Sequence, residues 1–190
     1  MKKFRLLFFA VISTMFLTAC HSPKDGTPQK QNSGNNIESE KQVETNDNSE
    51  QISFVMNDIN GNPVSVKDEF HKYKLTVIDF WASWCGPCRQ EMPSLVRIYN
   101  KYKKQGLGII GVSLDENESQ WKSATKEMEM SWLQLSDLQG WNNSAAQMYG
   151  IQAIPFTIIV DQDGNILNAG LRGNDLEDFI YSYLTGQNKK

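Results

Sequence analysis

Apolar positions in this chain fall into three long runs, separated by polar stretches rich in glycine and asparagine. Leu75 to Ala82 (LTVIDFWA), Leu107 to Leu114 (LGIIGVSL) and Phe156 to Val160 (FTIIV) are near-continuous and of strand length, as expected of strands buried on both faces. After the first run, Leu95, Ile98, Tyr99 and Tyr102 recur at the i, i+3, i+4, i+7 spacing of a helix, which Gly106 ends. After the second, Asn117 to Met130 predicts a helix, Trp132 to Leu135 a short strand and Asn142 to Tyr149 a short helix. After the third, Asp161 to Asn165 (DQDGN) makes a tight turn, Ile166 to Ala169 its hairpin partner, and Leu176 to Leu184 a closing helix. Ahead of all of them, Ile52 to Asp58 alternates weakly, and Asn60-Gly61-Asn62 turns it back on Val64 to Val66. Buried strands alternating with helices predict an α/β sheet covered on both sides. The late hairpin makes that sheet mixed.

The first residues follow a different rule. Lys2, Lys3 and Arg5 precede an apolar run from Leu6 to Leu17, interrupted only by Ser13 and Thr14. That is the pattern of a secretory signal, short for a membrane span. It ends in Leu17-Thr18-Ala19-Cys20, which resembles the lipobox of bacterial lipoproteins. The resemblance implies cleavage after residue 19 and lipid on Cys20, which holds the protein to a membrane on the extracytoplasmic side. Residues 21–50 contain no aromatic residue and only two large aliphatics, Ile37 and Val43. Such a stretch cannot bury enough apolar surface to offset its ordering entropy. The expected organisation is a signal over residues 1–19, a lipidated cysteine and tether over 20–50, and one domain over 51–190. A flexible tether of this length places the domain on the order of 30 Å from the bilayer.

Charge then narrows the partners. The chain carries 19 Lys+Arg against 22 Asp+Glu; losing the three cations of the signal leaves 16 against 22, a balance of −6. There is no basic stripe, so no nucleic acid is expected.

The chemistry lies in FWASWCGPCRQEMP, residues 80–93. Cys85 and Cys88 sit where a strand gives way to a helix. Unpaired amides and the positive end of the helix dipole favour thiolate there, so Cys85 is the expected nucleophile. Cys88 lies one turn on, near enough for a disulfide. Pro87 fits the first turn, where its missing N–H has no partner. A zinc site needs four ligands, whereas this pair supplies two, and His21 and His71 are not spaced as a second pair. A staple across so short a loop would contribute little stability. A redox pair is the remaining reading, with no metal and no cofactor beyond the Cys85–Cys88 disulfide itself. Asp79, inside the apolar run six residues before Cys85, is a charge that is costly to bury without a role. Trp81, Trp121, Trp132 and Trp141 are expected in the core, and Trp84 on an exposed rim beside Cys85.

Residues 77–88 (VIDFWASWCGPC) resemble the active-site strand and loop of thioredoxins. With Arg89-Gln90-Glu91-Met92-Pro93, Gly111 to Glu116 (GVSLDE) and Gly150 to Pro155 (GIQAIP), the likeness narrows to the TlpA/ResA group, across residues 51–188. The resemblance implies a thioredoxin fold: a central mixed β-sheet flanked by helices, with an N-terminal β-hairpin and a central β/α insertion. It implies that Asp79 is the proton acceptor for Cys88 and that Glu116 tunes cysteine acidity. It further implies that Pro155 is cis, and that Trp84, Gly86, Pro87, Ile154 and Pro155 shape a groove for substrate.

The implied activity is thiol–disulfide exchange, in the reducing direction, on disulfide-bearing client proteins such as apocytochromes c. Electrons would come from a membrane donor of the CcdA/DsbD type. A disulfide oxidase or isomerase on the same fold is the alternative, as is a non-catalytic binding lipoprotein. A peroxidase needs a Pro-x-x-x-Thr-x-x-Cys setting, which the sequence lacks.

Overall fold

The computed structural model describes residues 51–187. The signal segment, Cys20 and the tether lie outside the described residues. A small hairpin comes first: β1 (Val55–Asn57) pairs antiparallel with β2 (Pro63–Ser65). Its turn is closed by the Asp58 carboxylate, which accepts from the amides of Asn60 and Asn62, each at 2.8 Å. The expected strand residue Val66 instead opens a short helix, α1 (Val66–Phe70). Val66 and Phe70, four apart, are both buried, so one face of a single turn anchors in the core.

The main sheet contains β3 (Leu75–Trp81), β4 (Leu107–Ser113), β5 (Leu133–Leu135), β6 (Phe156–Asp161) and β7 (Ile166–Ala169). Their order is β5-β4-β3-β6-β7, with β3, β4 and β5 mutually parallel, β6 antiparallel to β3, and β7 antiparallel to β6. Every residue of β3 and β4 is buried, as strands covered on both faces require. The helices α2 (Gly86–Tyr102), α3 (Glu118–Glu127), α4 (Ser144–Met148) and α5 (Gly173–Thr185) complete the fold. This is a thioredoxin-like fold with an N-terminal hairpin and a mixed central sheet.

The position of the site follows from this frame. β3 is the central strand, so its C-terminal end delivers the loop 82–84 and the start of α2 to the middle of one sheet edge. α2 runs through Pro93 and reaches Tyr102; Gly106 follows a turn of 3₁₀ helix at φ 110°, a backbone shape that suits glycine. α5 is tied to α2 by Glu177, which is buried and accepts from Arg97 Nη2 at 2.8 Å and Lys101 Nζ at 2.7 Å. The two salt bridges hold Glu177 well below the usual carboxylate range, at about 2.

One aromatic departs from expectation. Trp121 and Trp132 are core residues and Trp81 is fully buried, but Trp141 is 42% exposed. It lies in a 3₁₀ turn, Gly140–Asn142, between β5 and α4, where no helical or strand period directs side chains inward.

Candidate active site

Cys85 is the N-cap residue of α2, with extended backbone at φ −82° and ψ 102°. Its sulfur accepts from the Cys88 amide at 3.2 Å, so one of the helix's unpaired donors points at Sγ. That arrangement stabilises negative charge on this sulfur rather than on Cys88. The two cysteines are joined as a disulfide, so the structure shows the oxidised form. Both are buried, Cys88 the more completely. Gly86 and Pro87 between them are exposed.

The loop before β6 lies against Cys85. The Ile154–Pro155 peptide bond is cis. Cys85 Sγ lies 3.7 Å from the Ile154 carbonyl oxygen. The sulfur has no proton in the disulfide, so this is a contact; the reduced thiol would be able to donate across it. Ile154 and Pro155 are half-buried, and Trp84, the residue before Cys85, is 51% exposed.

Beneath the disulfide is a small cavity of about 10 Å³, lined among others by Asp79, Cys88, Glu91 and Pro155. That is room for about one water. Asp79 belongs to the central strand and pairs in register with Gly111 on one side and Thr157 on the other, so it cannot swing to a free sheet edge. Burial first, then the charge of Glu91, pushes its carboxyl up to about 7 against the opposing charge of Arg172. A group poised there can take or give a proton near neutral pH.

Glu91 had no distinct signal in the sequence beyond its spacing. It stands three residues after Cys88, hence on the same helical face. Its Oε1 accepts from the Gly173 amide at 3.1 Å, and its Oε2 lies 3.4 Å from Arg172 Nε. Arg172 Nη1 also donates to the Pro155 carbonyl at 3.3 Å, so one guanidinium touches both the cis-proline loop and α2's acid.

Glu116 is exposed, with its carboxylate against the backbone of Gly140. Its neighbour Asp115 is the acid that engages the active-site loop. Asp115 is fully buried; it accepts from the Ser83 amide at 3.0 Å, from the Ser83 hydroxyl, and from Ser113 Oγ at 2.6 Å. Asp115 lies two residues past Ser113, the last residue of β4, and strand alternation carried that far puts it on the same face. Among the described residues no cluster of His, Cys, Asp and Glu could hold a metal ion.

The family model named Redoxin matches residues 45–180. The thiol-disulfide oxidoreductase ResA of Bacillus thuringiensis subsp. konkukian (strain 97-27) is 30% identical over 132 residues, 70% of this chain and 73% of that protein. ResA of Bacillus subtilis (strain 168) is 25% identical, over 70% of each. Among solved structures, the thioredoxin domain of a thiol-disulfide oxidoreductase from Bacteroides vulgatus is similar at a TM-score of 0.65 and 34% identity, over 72% of this chain and 96% of that one. A thiol:disulfide interchange protein from a Bacteroides species reaches a TM-score of 0.65 and 34% identity, over 73% and 90%. A cysteine capping a helix N-terminus, a disulfide partner one turn on and relatives of this kind agree: the chain belongs to the Redoxin family and is a TlpA/ResA-like thiol-disulfide oxidoreductase.

Proposed function

We propose that this oxidoreductase works as a reductase of protein disulfides, tethered outside the cytoplasm by lipid on Cys20. The observation that carries the reading is the split environment of the pair. Cys85 caps a helix at the groove, whereas Cys88 stands over a cavity shared with a carboxyl raised to about 7.

In this scheme the Cys85 thiolate attacks one sulfur of a client disulfide. A Cys85–client disulfide forms, and the departing client thiolate takes a proton from water. Cys88 then gives its proton to the Asp79 carboxylate, directly or through one water, and attacks Cys85 Sγ. The mixed disulfide breaks, the second client sulfur leaves as a thiolate, and the Cys85–Cys88 bond closes. Two electrons have moved from the protein dithiol to the client disulfide. The cis-Pro155 loop, with Ile154, offers backbone against which an extended client strand docks. Glu116, the exposed acid next to Gly140, is assigned an influence on cysteine acidity through its charge.

The sequence ending at Cys20 supports the lipid anchor, and the chain's likeness to ResA supports the extracytoplasmic site. Outside the cytoplasm no soluble thiol pool resets the dithiol, so a membrane donor of the CcdA/DsbD type is the proposed source of electrons. Apocytochromes c awaiting haem are the proposed clients, because their cysteines must be free.

The deciding experiment is the equilibrium potential of the Cys85–Cys88 couple in the full-length protein, titrated against dithiothreitol and glutathione buffers. A value near that of thioredoxin, about −270 mV, is expected for a reductase. A value near about −120 mV reverses the direction and makes the protein a disulfide donor. In parallel, Cys88→Ser should accumulate a mixed disulfide on Cys85, and Cys85→Ser should form none.

A further inference from the structure

We infer that Trp141 and Trp84 together form a side-chain-reading wall of the active-site groove, which takes a large apolar side chain, aromatic best, next to the client's reactive cysteine. The inference rests on the oxidoreductase reading and names the client segment that reading leaves open.

The two indoles are the exposed tryptophans among the described residues, 51% and 42%, and they are in contact. Their ring centroids are 6.3 Å apart at an interplanar angle of 53°. A tilted pair of this kind leaves ring faces and edges open to a third ring in the same favourable geometry. Trp84 is the residue immediately before the nucleophile, so the pair adjoins the active-site loop.

Trp141 is not an untethered surface residue. The turn that carries it is braced at both ends. Gln147 Nε2 donates to the Trp141 carbonyl at 2.7 Å, and the Asn143 amide to Gly140 at 3.0 Å. The Asp137 carboxylate accepts from Asn143 Nδ2 and from the Ser144 amide, each at 2.8 Å. Gly140 holds φ 57°, and a Cβ there would collide with the Glu116 carboxylate, so the turn is also fitted against the end of β4. A large apolar surface held this rigidly in water is unfavourable by itself and signals a contact to be made.

The chemistry decides what makes that contact. Thiol–disulfide exchange brings the client's sulfur onto Cys85 Sγ, so the residues flanking the client cysteine must cross the adjoining surface. On one side they meet the backbone of Ile154 and Pro155, which can pair with any main chain and cannot tell side chains apart. The other exposed surface next to the active-site loop is the indole pair. Selection among clients therefore falls to the indole wall. Trp84 comes with the active-site loop; Trp141 is contributed by the turn after β5, and it converts a single exposed ring into a two-sided contact.

The test uses the pre-reduced full-length protein in single-turnover reactions with two peptide disulfides of equal length and charge, one with Phe and one with Ser beside each cysteine. Glutathione disulfide serves as a third substrate. The wild type should reach half-saturation with the Phe peptide at about tenfold lower concentration than with the Ser peptide. Trp141→Ala should bring that ratio close to one, and Trp141→Phe should keep most of it. A ratio near one in the wild type, or a ratio that survives Trp141→Ala, overturns the inference. If the wild type reduces neither peptide nor glutathione disulfide, it is the disulfide-reductase reading that fails.

Discussion

Glu91 stands one helical turn beyond Cys88 and lines the same small cavity as Asp79, so a buried acid and a half-buried acid face one space beneath the disulfide. The negative charge of Glu91 opposes ionisation of Asp79. Because Asp79 is raised to about 7 from an ordinary value of 3.8, the folded protein binds its proton more tightly than the unfolded chain. Its contribution to stability is therefore fully present below pH 3.8 and is lost as pH rises through 7. Asp79→Asn carries no such pH-dependent loss. In the oxidised protein it should stabilise by about 2–4 kcal/mol at pH 8 and leave stability nearly unchanged at pH 3.5. The same variant should slow closure of the Cys85–Cys88 bond about a hundredfold at pH 7. Thermal unfolding at the two pH values and stopped-flow reduction of a client disulfide read the two effects. Destabilisation at pH 8 would show that Asp79 is ionised and paired.

Arg172 and Glu91 should move the Asp79 titration in opposite directions. Glu91 raises the carboxyl and Arg172 lowers it. Glu91→Gln should shift the pH profile of the resolving step to lower pH. Arg172→Gln, which also leaves the Glu91 charge without its cation, should shift it higher. The carboxyl band of Asp79 in infrared difference spectra checks the sign directly. Shifts of the same sign in both variants would mean that the pair acts through packing, not charge.

The parts of this site legible in the sequence are those that local pattern fixes. β3, β4 and β6 announce themselves as near-continuous apolar runs, and Asp79 stands out in the first of them because a charge, unlike the hydroxyl of Thr76, is costly to bury. The pair of cysteines was visible as a strand-to-helix junction. The helix Val66–Phe70 was not, since five residues are too few to show a period, and Val66 continues the apolar texture of the strand before it. Trp141 looked like core because size and apolarity argue for burial, while the turn that turns it outward depends on Glu116, Asp137 and Gln147. Arg172 reaches Glu91 from 81 residues along the chain, by the arithmetic 172 − 91, and no local spacing encodes that contact.

Asp115 and Glu116 are adjacent acids with different expected costs. Asp115 satisfies the amide and hydroxyl of Ser83 and the hydroxyl of Ser113, all in or beside the active-site loop. Asp115→Asn puts an amide donor where only donors are present and should destabilise by about 1–3 kcal/mol. Hydrogen exchange at the Ser83 amide should speed up more than the loss of global stability accounts for. Glu116→Gln, on an exposed group, should change stability by no more than about 0.5 kcal/mol. Equal effects from the two substitutions would show that the loop is held by something other than Asp115.

Glu177 should make stability depend on pH in the opposite sense to Asp79. Its carboxyl is lowered to about 2 from 4.5, chiefly by the hydrogen bonds from Arg97 and Lys101. A lowered acid stabilises above its unfolded value and loses that contribution as pH falls through its folded one. Glu177→Gln should therefore lower the unfolding temperature by a few degrees at pH 7, and the gap to wild type should narrow between pH 4.5 and 2. Both cations are about half exposed, so added salt should shrink the difference at pH 7. Calorimetry across that pH range, with and without salt, distinguishes this from a packing defect. A defect in packing would persist unchanged at pH 2 and would ignore ionic strength.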